Sequence, residues 1–310
     1  MTGATDVPAA TTTSVKDASR VATTLDTREL RSFIEVALRE DIGRGDVTSE
    51  LTVTPGARAS GFFLAKSELT VFGLEIARLI FETHLAGDDL AFETLVSEGE
   101  SVAAGIVIAK IEGPARGLLG AERVALNLLM RLSGVATLTA RYAEAVAGTG
   151  ARVCDTRKTT PGLRALEKAA VRAGGGVNHR FGLDDGILIK DNHIEVAGGV
   201  GRAVELAKAG APHLLKVEVE VEDEAGLEEA IEAGADAILL DNMTPAEVAR
   251  CVGIVRRRSR GVVIEVSGNI GLHNVFEHAQ AGPDLISVGA LTHSAVAADI
   301  SLKLTASGRG

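Results

Sequence analysis

The stretch LLKVEVEVEDEAGLEEAIEAGADAILLDN, residues 214–242, decides the fold. A β-rich run, LLKVEVEV, is followed by an acidic helix-like stretch and then by a second apolar run, AILLDN. Short apolar runs joined by a helical segment are typical of a β-α-β unit with parallel strands. Similar β-rich runs begin at residues 152, 187, 214, 237, 262 and 285, so the sequence predicts a series of β-α units.

The carboxyl ends of these runs carry the polar or small residues. They are Asp155, Lys190, Glu220, Asp241, Ser267 with Gly268 and Asn269, and Gly289. In an α/β barrel all these strand ends converge on one mouth, where barrel enzymes place their chemistry. The pattern therefore favours a barrel of six or seven strands over an open sheet.

The segments before the barrel have a different pattern. Residues 1–25 are rich in Ala, Thr and Ser without an apolar period, which predicts a disordered tail. A helix is expected over residues 28–40, and the strand-like runs after it indicate a small α+β domain. Residues 116–147 have a helical period and predict two helices broken near Ser133–Gly134, at the junction between domains.

Composition excludes several classes of protein. The chain has 310 residues, a net charge of -10 and a pI near 5.3, which argues against general binding to nucleic acid or to an anionic membrane surface. It has neither an apolar run of about 18 residues nor the layout of a secretory signal. Its two cysteines, Cys154 and Cys251, lack metal-ligand spacing and indicate a reducing cytoplasm.

Positive charge is nevertheless concentrated in residues 155–195. The basic side chains there are Arg157, Lys158, Arg164, Lys168, Arg172, His179, Arg180, Lys190 and His193. Arg164, Lys168 and Arg172 have helical spacing and predict a solvated stripe. The others lie beside strand ends, where several cations in one cavity repel each other unless an anion balances them. We therefore expect a multiply charged substrate with carboxylates, which suit Arg, and phosphates, which suit Lys.

Alternative interpretations remain open for the other candidate residues. Glu220 and Asp241 can bind a divalent cation or a sugar diol, or each can simply cap the helix that follows it. Glu218 lies on the same side of its strand as Glu220, so the pattern does not decide between them. Gly268 and Gly289 suit both a phosphate loop and an ordinary tight turn.

Motifs along most of the chain resemble the quinolinate phosphoribosyltransferase family. They include EDIGRGDVT, AERVALNLLMRLSGVAT, DTRKTTPGLR, GGGVNHRFGLDDGILIKDNHI, EVSGN and ISVGALTH. The resemblance implies an N-terminal α/β sandwich domain, over residues 26–133, and an incomplete α/β barrel, over residues 134–292. It also implies a C-terminal helix over residues 293–310 that packs back on the N-terminal domain.

The resemblance further implies an activity and its site residues. Such an enzyme transfers the phosphoribosyl group of 5-phosphoribosyl 1-pyrophosphate to quinolinate with decarboxylation, giving nicotinate mononucleotide, pyrophosphate and CO₂ for NAD biosynthesis. A homodimer or higher oligomer with shared active sites is expected, and Mg²⁺ is the expected cofactor, bound directly or indirectly by Glu220 and Asp241, which also meet the ribose. The remaining positions are Arg123 in trans, Arg157, His179, Arg180 and Lys190 for quinolinate, and Lys158, Ser267, Gly268, Asn269, Val288, Gly289 and Ala290 for the phosphoribosyl substrate.

Three rival hypotheses are kept. One is a related phosphoribosyltransferase that uses another ring acid such as nicotinate. A second is a barrel aldolase or isomerase with Lys190 as a Schiff-base lysine, and a third is a non-catalytic anion-binding protein. The number of cations favours the dicarboxylate over the nicotinate hypothesis.

Overall fold

The computed structural model describes residues 27–86, 89–259 and 261–307. The predicted disordered tail, residues 1–25, lies outside these ranges. None of the helices in the described ranges has the length and apolarity that a bilayer crossing requires.

The first part of the chain forms an α/β sandwich. Its elements are α1 (Thr27–Ile42), α2 (Val47–Thr52), β1 (Arg58–Ala65), β2 (Leu69–Thr70), α3 (Leu74–Leu85), β3 (Ala91–Thr94), β4 (Ser101–Val102) and β5 (Val107–Pro114). Strands β3, β5 and β1 pair antiparallel, and β2 pairs with β4. Helix α3 packs on the larger sheet, where the Phe81 ring meets the Phe63 ring edge-on at 6.2 Å between centroids. The helix predicted over residues 28–40 and the sandwich are both confirmed.

Helix α4 (Ala115–Ala145) leads into the barrel as one continuous helix of 31 residues. The predicted break at Ser133–Gly134 is wrong, because these small residues serve close packing. A Cβ on Gly134 would lie only 2.1 Å from the Val296 carbonyl oxygen. The Ser133 hydroxyl accepts a hydrogen bond from the Phe72 amide at 3.1 Å. The predicted domain boundary at 133/134 falls inside this helix and stays a prediction.

The second part consists of β-α units around a parallel six-stranded sheet. Its elements are β6 (Arg152–Cys154), α5 (Arg164–Ala173), β7 (Ile187–Ile189), α6 (Asp191–Ala197), α7 (Val200–Gly210), β8 (Val217–Val221), α8 (Glu224–Glu232), β9 (Ala237–Asp241), α9 (Pro245–Arg258), β10 (Val263–Ser267), α10 (Val275–Gln280), β11 (Leu285–Ser287) and α11 (Ala290–His293). The strand order is β6-β11-β10-β9-β8-β7.

This sheet is curved into an incomplete barrel, as expected. The first strand, β6, pairs with the last, β11, while β6 and β7 form the two edges. Glu218 on β8 and Glu265 on β10 both reach the His179 ring, although β9 lies between their strands. Strands two places apart in a flat sheet are about 9.5 Å apart, and the convergence of both side chains on His179 fits a sheet that curves around this point.

The last strand, β12 (Ile300–Ala306), returns to the sandwich. It pairs antiparallel with β1, from Ala59 opposite Ala306 to Ala65 opposite Ile300. The C-terminal helix expected over residues 293–310 is therefore wrong for this segment. The alternation of buried Ile300 and Leu302 with exposed Lys303 is the period of a strand.

Candidate active site

A buried ion pair supports one wall of the barrel mouth. Asp155, which follows β6, is 0% exposed and Lys168 on α5 is 4% exposed. Lys168 Nζ donates to Asp155 Oδ1 at 2.5 Å and to the His179 carbonyl oxygen at 2.9 Å. Asp155 Oδ1 also accepts from the His179 amide at 2.9 Å. The predicted solvated stripe is therefore wrong for Lys168, which fixes the backbone of the segment that carries His179 and Arg180.

Arg164, the second member of that predicted stripe, also contacts the loops. Its Nε donates to Thr159 Oγ1 at 3.0 Å and its Nη1 to the Phe181 carbonyl oxygen at 3.1 Å. The guanidinium carbon lies 5.9 Å from the centre of the Phe181 ring. Arg164 thus links the loop after β6 to the loop before β7, whereas Arg172 is exposed, as predicted.

Two arginines, Arg157 and Arg180, lie near each other in these loops, and neither forms an ion pair with a carboxylate of the described residues. Arg180 Nη1 donates to the Gly186 carbonyl oxygen at 2.9 Å. Burial, and then the charge of Arg157, lowers the pKa of Arg180. Within the described ranges, the Nε atoms of both arginines are buried and have no hydrogen-bond partner. Because an unpaired buried N–H group costs free energy, this pair is suited to an anionic ligand.

Acidic side chains and His179 form the floor of the barrel beneath the arginines. His179 Nε2 lies 3.1 Å from Glu218 Oε2 and 3.7 Å from Glu265 Oε1. Glu265 is 1% exposed and accepts a hydrogen bond from the Ser287 hydroxyl. Burial, and then the charge of Glu218, raises the pKa of Glu265 to about 7. We call His179, Glu218, Glu265 and Ser287 the floor cluster.

The hydrogen bonds of His179 fix the position of its proton. The Arg180 amide donates to His179 Nδ1 at 2.7 Å, so Nδ1 must be unprotonated in this arrangement. Nε2 then carries the proton and donates it to Glu218. Burial opposes a charged imidazole, but the hydrogen bond to Glu218 and the nearby carboxylates raise the pKa of His179. Protonating Nδ1 would break its bond to the Arg180 amide.

The acids predicted to meet the ribose lie on the same inner face. Glu220 on β8 lies opposite Leu239 on β9. Asp241 lies two residues after Leu239 on β9 and is opposite Ser267 on β10. Lys190 Nζ donates to Glu220 Oε2 at 2.5 Å. Asp241 accepts from Asn242 Nδ2 at 2.6 Å. Glu218, the alternative to Glu220, instead contacts His179 in the floor cluster.

The residues predicted for phosphate binding form two adjacent turns at the mouth. Gly268 has φ 93°, and a Cβ there would lie 2.3 Å from Asn242 Oδ1. Asn242 and Asn269 also have positive φ values, of 55° and 51°, and Asn269 Nδ2 donates to Asn242 Oδ1. Strained backbone of this kind is concentrated at functional sites, so these turns are candidates for ligand contact.

The second turn follows β11 and is covered by Lys158. The Val288 amide donates to the Cys154 carbonyl oxygen at 2.9 Å, and Ala290 begins α11. A Cβ on Gly289 would lie 3.1 Å from Lys158 Cδ. A glycine here allows the lysine chain to lie against the turn, with an exposed ammonium beside it.

Arg123 lies apart from this cluster. It is exposed on α4, next to Glu122, whose carboxyl also senses the charge of Lys303 on β12. Among the hydrogen bonds and ion pairs of the described residues, none involves the Arg123 guanidinium. Arg123 is thus exposed on α4 without a contact to the barrel mouth among the described residues.

The donor set at Glu220 and Asp241 fits Mg²⁺ through hard carboxylate oxygens. One Glu220 oxygen is hydrogen-bonded to Lys190, and one Asp241 oxygen to Asn242, while the other oxygen of each carboxylate has no hydrogen bond from the described residues. Two single carboxylate oxygens suit an ion that keeps water and substrate phosphates as its other ligands.

Sequence reasoning missed several members of this site. It did not single out Glu265, Ser287 or the polar partner Asn242, and it assigned Lys168 to solvent. A signal existed for Glu265, since a charged residue within VVIEVSGN interrupts a buried strand in the same way as Glu218 does within KVEVEV.

Fold and site together define an incomplete α/β-barrel enzyme with several cations at its mouth, preceded by an α/β sandwich. The family model of the quinolinate phosphoribosyl transferase N-terminal domain matches residues 46–133, and that of the C-terminal domain matches residues 135–303. The chain belongs to the quinolinate phosphoribosyl transferase family.

Individual relatives agree with this assignment. A probable nicotinate-nucleotide pyrophosphorylase [carboxylating] from Bacillus subtilis is 42% identical over 279 residues, covering 90% of this chain and 94% of the relative. A nicotinate-nucleotide pyrophosphorylase [carboxylating] from Mycobacterium leprae is 41% identical, covering 88% and 96%. The solved structure of the nicotinate-nucleotide pyrophosphorylase from Francisella tularensis has a TM-score of 0.85 at 36% identity, covering 91% of this chain and 98% of that one.

Proposed function

We propose that this chain transfers the phosphoribosyl group of 5-phosphoribosyl 1-pyrophosphate to quinolinate and releases pyrophosphate and CO₂, giving nicotinate mononucleotide for NAD biosynthesis. The observation that carries the proposal is the half-buried guanidinium pair, Arg157 and Arg180, whose buried Nε groups lack partners within the described residues. A ring dicarboxylate supplies acceptors of the right charge and planar geometry. Family membership supports the same reaction.

Quinolinate recognition is assigned to the cations around the loops. Arg157 and Arg180 bind the ring carboxylates, and Lys190, in exchange for its contact with Glu220, adds a third positive charge. His179 supports this site from below, because both of its ring nitrogens already have partners in the chain. A single carboxylate, as in nicotinate, would leave one of the arginines unsatisfied.

The phosphoribosyl substrate is assigned to the opposite side of the mouth. Glu220 and Asp241 receive the ribose hydroxyls. The backbone turns at Ser267–Asn269 and Val288–Ala290 bind phosphate oxygens through N–H groups. Lys158, which lies against Gly289, is placed to stabilise the leaving pyrophosphate. Bound Mg²⁺ would add charge stabilisation for that leaving group.

The chemistry needs position and charge more than a nucleophile from the protein. The ring nitrogen attacks the anomeric carbon as the bond to pyrophosphate breaks, through an oxocarbenium-like transition state. The 2-carboxylate then leaves as CO₂, its electron pair stays on the ring carbon beside the cationic nitrogen, and that carbon takes a proton. Holding the two substrates in register supplies much of the rate enhancement. Cys154 is a core residue, since it is 1% exposed and burial raises the pKa of its thiol.

The assembly is proposed to be a homodimer, or a higher oligomer built from it, in which Arg123 reaches the partner's quinolinate. Its support is the exposure of Arg123 on α4, apart from the mouth of its own chain. The proposed location is the cytoplasm, because Cys154 and Cys251 are both buried free thiols.

The test of the reaction is turnover of the purified chain with quinolinate, phosphoribosyl pyrophosphate and Mg²⁺, with pyrophosphate and labelled CO₂ measured together. We expect equal release of both products from quinolinate, and no turnover of nicotinate run in parallel. Turnover of nicotinate without CO₂, or no turnover of either acid, would contradict the proposal.

The shared site is tested by complementation between inactive subunits. Arg123→Ala should abolish quinolinate turnover alone and recover activity when mixed with Lys190→Ala subunits under conditions where chains exchange. One site in the mixed dimer would then carry neither substitution. No recovery, in mixtures whose exchange is verified by mass spectrometry, would rule out the contribution of Arg123 in trans.

A further inference from the structure

The floor cluster forms a continuous chain of polar contacts from the barrel interior to Arg180. The Ser287 hydroxyl donates to Glu265, and oxygens of Glu265 and Glu218 lie within 4.8 Å of each other and of the His179 ring. Glu218 accepts from His179 Nε2 at 3.1 Å. His179 Nδ1 accepts the Arg180 amide at 2.7 Å. Each member is connected to the next through a single side chain or a single backbone amide.

The buried end of this chain of contacts, at Glu265, determines which group donates a proton and which group accepts it along the chain. Oxygens of Glu218 and Glu265 lie within 4.8 Å of each other in a buried site, where a second negative charge is costly, so the pair is expected to retain a proton. Glu265 is the more buried member, at 1% exposure against 9% for Glu218, and is the expected acid. A Glu218 oxygen at 3.1 Å and a Glu265 oxygen at 3.7 Å both face His179 Nε2, so a proton on that nitrogen has an acceptor. This leaves Nδ1 open as the acceptor for the Arg180 amide.

We propose that Glu265 and Ser287 are positioning residues for quinolinate binding, because they hold His179 in its Nε2–H tautomer and thereby fix the Arg180 amide and side chain. This inference rests on the proposed function, and neither residue touches the substrate. Burial, followed by the charge of Glu218, raises the pKa of Glu265 to about 7, in agreement with a retained proton. The side chain of Arg180 is held at its other end by the Gly186 carbonyl oxygen.

His179, Glu218 and Glu265 also resemble a small metal site, because each offers one ligand atom and these atoms lie close together. The hydrogen bonds contradict that interpretation. A metal on Nε2 needs the lone pair of that nitrogen, and the proton would then be on Nδ1. Nδ1 instead faces the Arg180 N–H group, so the two protons would collide.

The kinetic test compares Glu265→Gln with Glu265→Met. Gln keeps one donor, for Glu218, and one acceptor, for Ser287, as a protonated Glu does, whereas Met keeps neither. We expect Glu265→Gln to retain the KM for quinolinate within about three-fold, and Glu265→Met to raise it by about ten-fold or more. The KM for phosphoribosyl pyrophosphate should change by less than about three-fold in both variants. Equal losses in both variants would overturn the proposal.

A spectroscopic test separates tautomer control from a general structural effect. Long-range ¹H–¹⁵N spectra of the ligand-free protein distinguish Nε2–H from Nδ1–H histidines, and comparison with His179→Gln assigns the signal. We expect the Nε2–H pattern in the wild type and in Glu265→Gln, and its loss in Glu265→Met. An Nδ1–H pattern in the wild type would overturn the proposal.

Two further variants guard against failure to fold. Ser287→Ala removes the hydroxyl that donates to Glu265, with little change of side-chain volume. It should weaken quinolinate binding by about three-fold to ten-fold. Glu98→Gln is the matched control: burial also raises the pKa of Glu98 to about 7, but its carboxylate accepts from the Gly73 and Glu75 amides in the sandwich. It should leave the His179 signal unchanged. Because these spectra need no substrate, failure of quinolinate turnover in the wild type would refute the proposed function separately.

Discussion

Lys168 and Arg157 are cations of the same segment with opposite surroundings. Lys168 is buried against Asp155 and is bonded to the His179 backbone. Arg157 has a buried Nε without a partner in the described part of the chain and faces a second cation, Arg180. We therefore expect a buried cation with its own carboxylate to stabilise the fold, and a cation whose buried donor lacks an acceptor to bind a ligand.

The two kinds of cation should also differ energetically. Removing one partner of a buried ion pair leaves an uncompensated charge and destabilises the folded chain. Removing a cation that lacks a partner relieves repulsion in the unliganded site. Only the binding of the anion is then weakened, and the stability of the fold is kept. Stability and activity measurements therefore distinguish them.

The largest expected effect is on folding, in Lys168→Met. This change leaves the Asp155 carboxylate buried without its ion-pair partner and should lower the free energy of unfolding by about 3–5 kcal/mol. Urea unfolding followed by circular dichroism measures it. Burial already raises the pKa of Asp155, and loss of Lys168 raises it further. A folded pKa above the unfolded value costs stability as pH rises between the two, so the deficit should shrink toward acid pH.

The control for this change is the double variant Asp155→Asn with Lys168→Met, which has no charge left to bury. It should recover part of the lost stability. A double variant that is less stable than Lys168→Met would show that Asp155 gains its main support from Asn178 and the His179 amide instead.

The next effect is on catalysis, in Arg157→Gln. Loss of one charged contact to quinolinate should lower kcat/KM for quinolinate by about 100-fold, equivalent to about 2.8 kcal/mol. The free energy of unfolding of the unliganded chain should stay within about 0.5 kcal/mol of the wild type. Steady-state kinetics and urea unfolding on the same preparation make the comparison. A stability loss as large as that of Lys168→Met would place Arg157 in the fold.

A smaller effect is expected from the ligand alone. Quinolinate at ten times its dissociation constant should stabilise the wild-type chain by about 1.4 kcal/mol. Scanning calorimetry with and without quinolinate measures the rise in the unfolding midpoint. The same concentration should give a much smaller rise with Arg157→Gln. Equal rises in both proteins would indicate that quinolinate binds elsewhere.

The smallest effect is predicted for Arg172→Ala. Arg172 lies one turn after Lys168 on α5 but is exposed. Its loss should change the free energy of unfolding by less than about 0.5 kcal/mol and leave kcat/KM unchanged. It is the matched control for Lys168→Met, and a change above about 1 kcal/mol would show that α5 tolerates no substitution at this face.

Much of the fold could be predicted because its signals are local. The alternating β-rich and helical runs gave the parallel strands, and polar residues at their ends marked the mouth. The errors arose where local pattern and tertiary packing compete. Ser133 and Gly134 suggest a break, but Gly134 instead admits the Val296 backbone against one continuous helix. Ile300–Ala306 becomes a strand because β1 offers an open edge.

The sequence by itself determined which side chains lie at the strand ends, since strand period and chain order place Lys190, Glu220, Asp241 and the glycine turns there. Only the tertiary structure decided which cation receives a carboxylate. Lys168 and Asp155 meet across 13 positions, His179 meets Glu218 across 39, and Lys190 meets Glu220 across 30. Such pairs depend on how strands and helices assemble in three dimensions, which no local pattern of residues encodes.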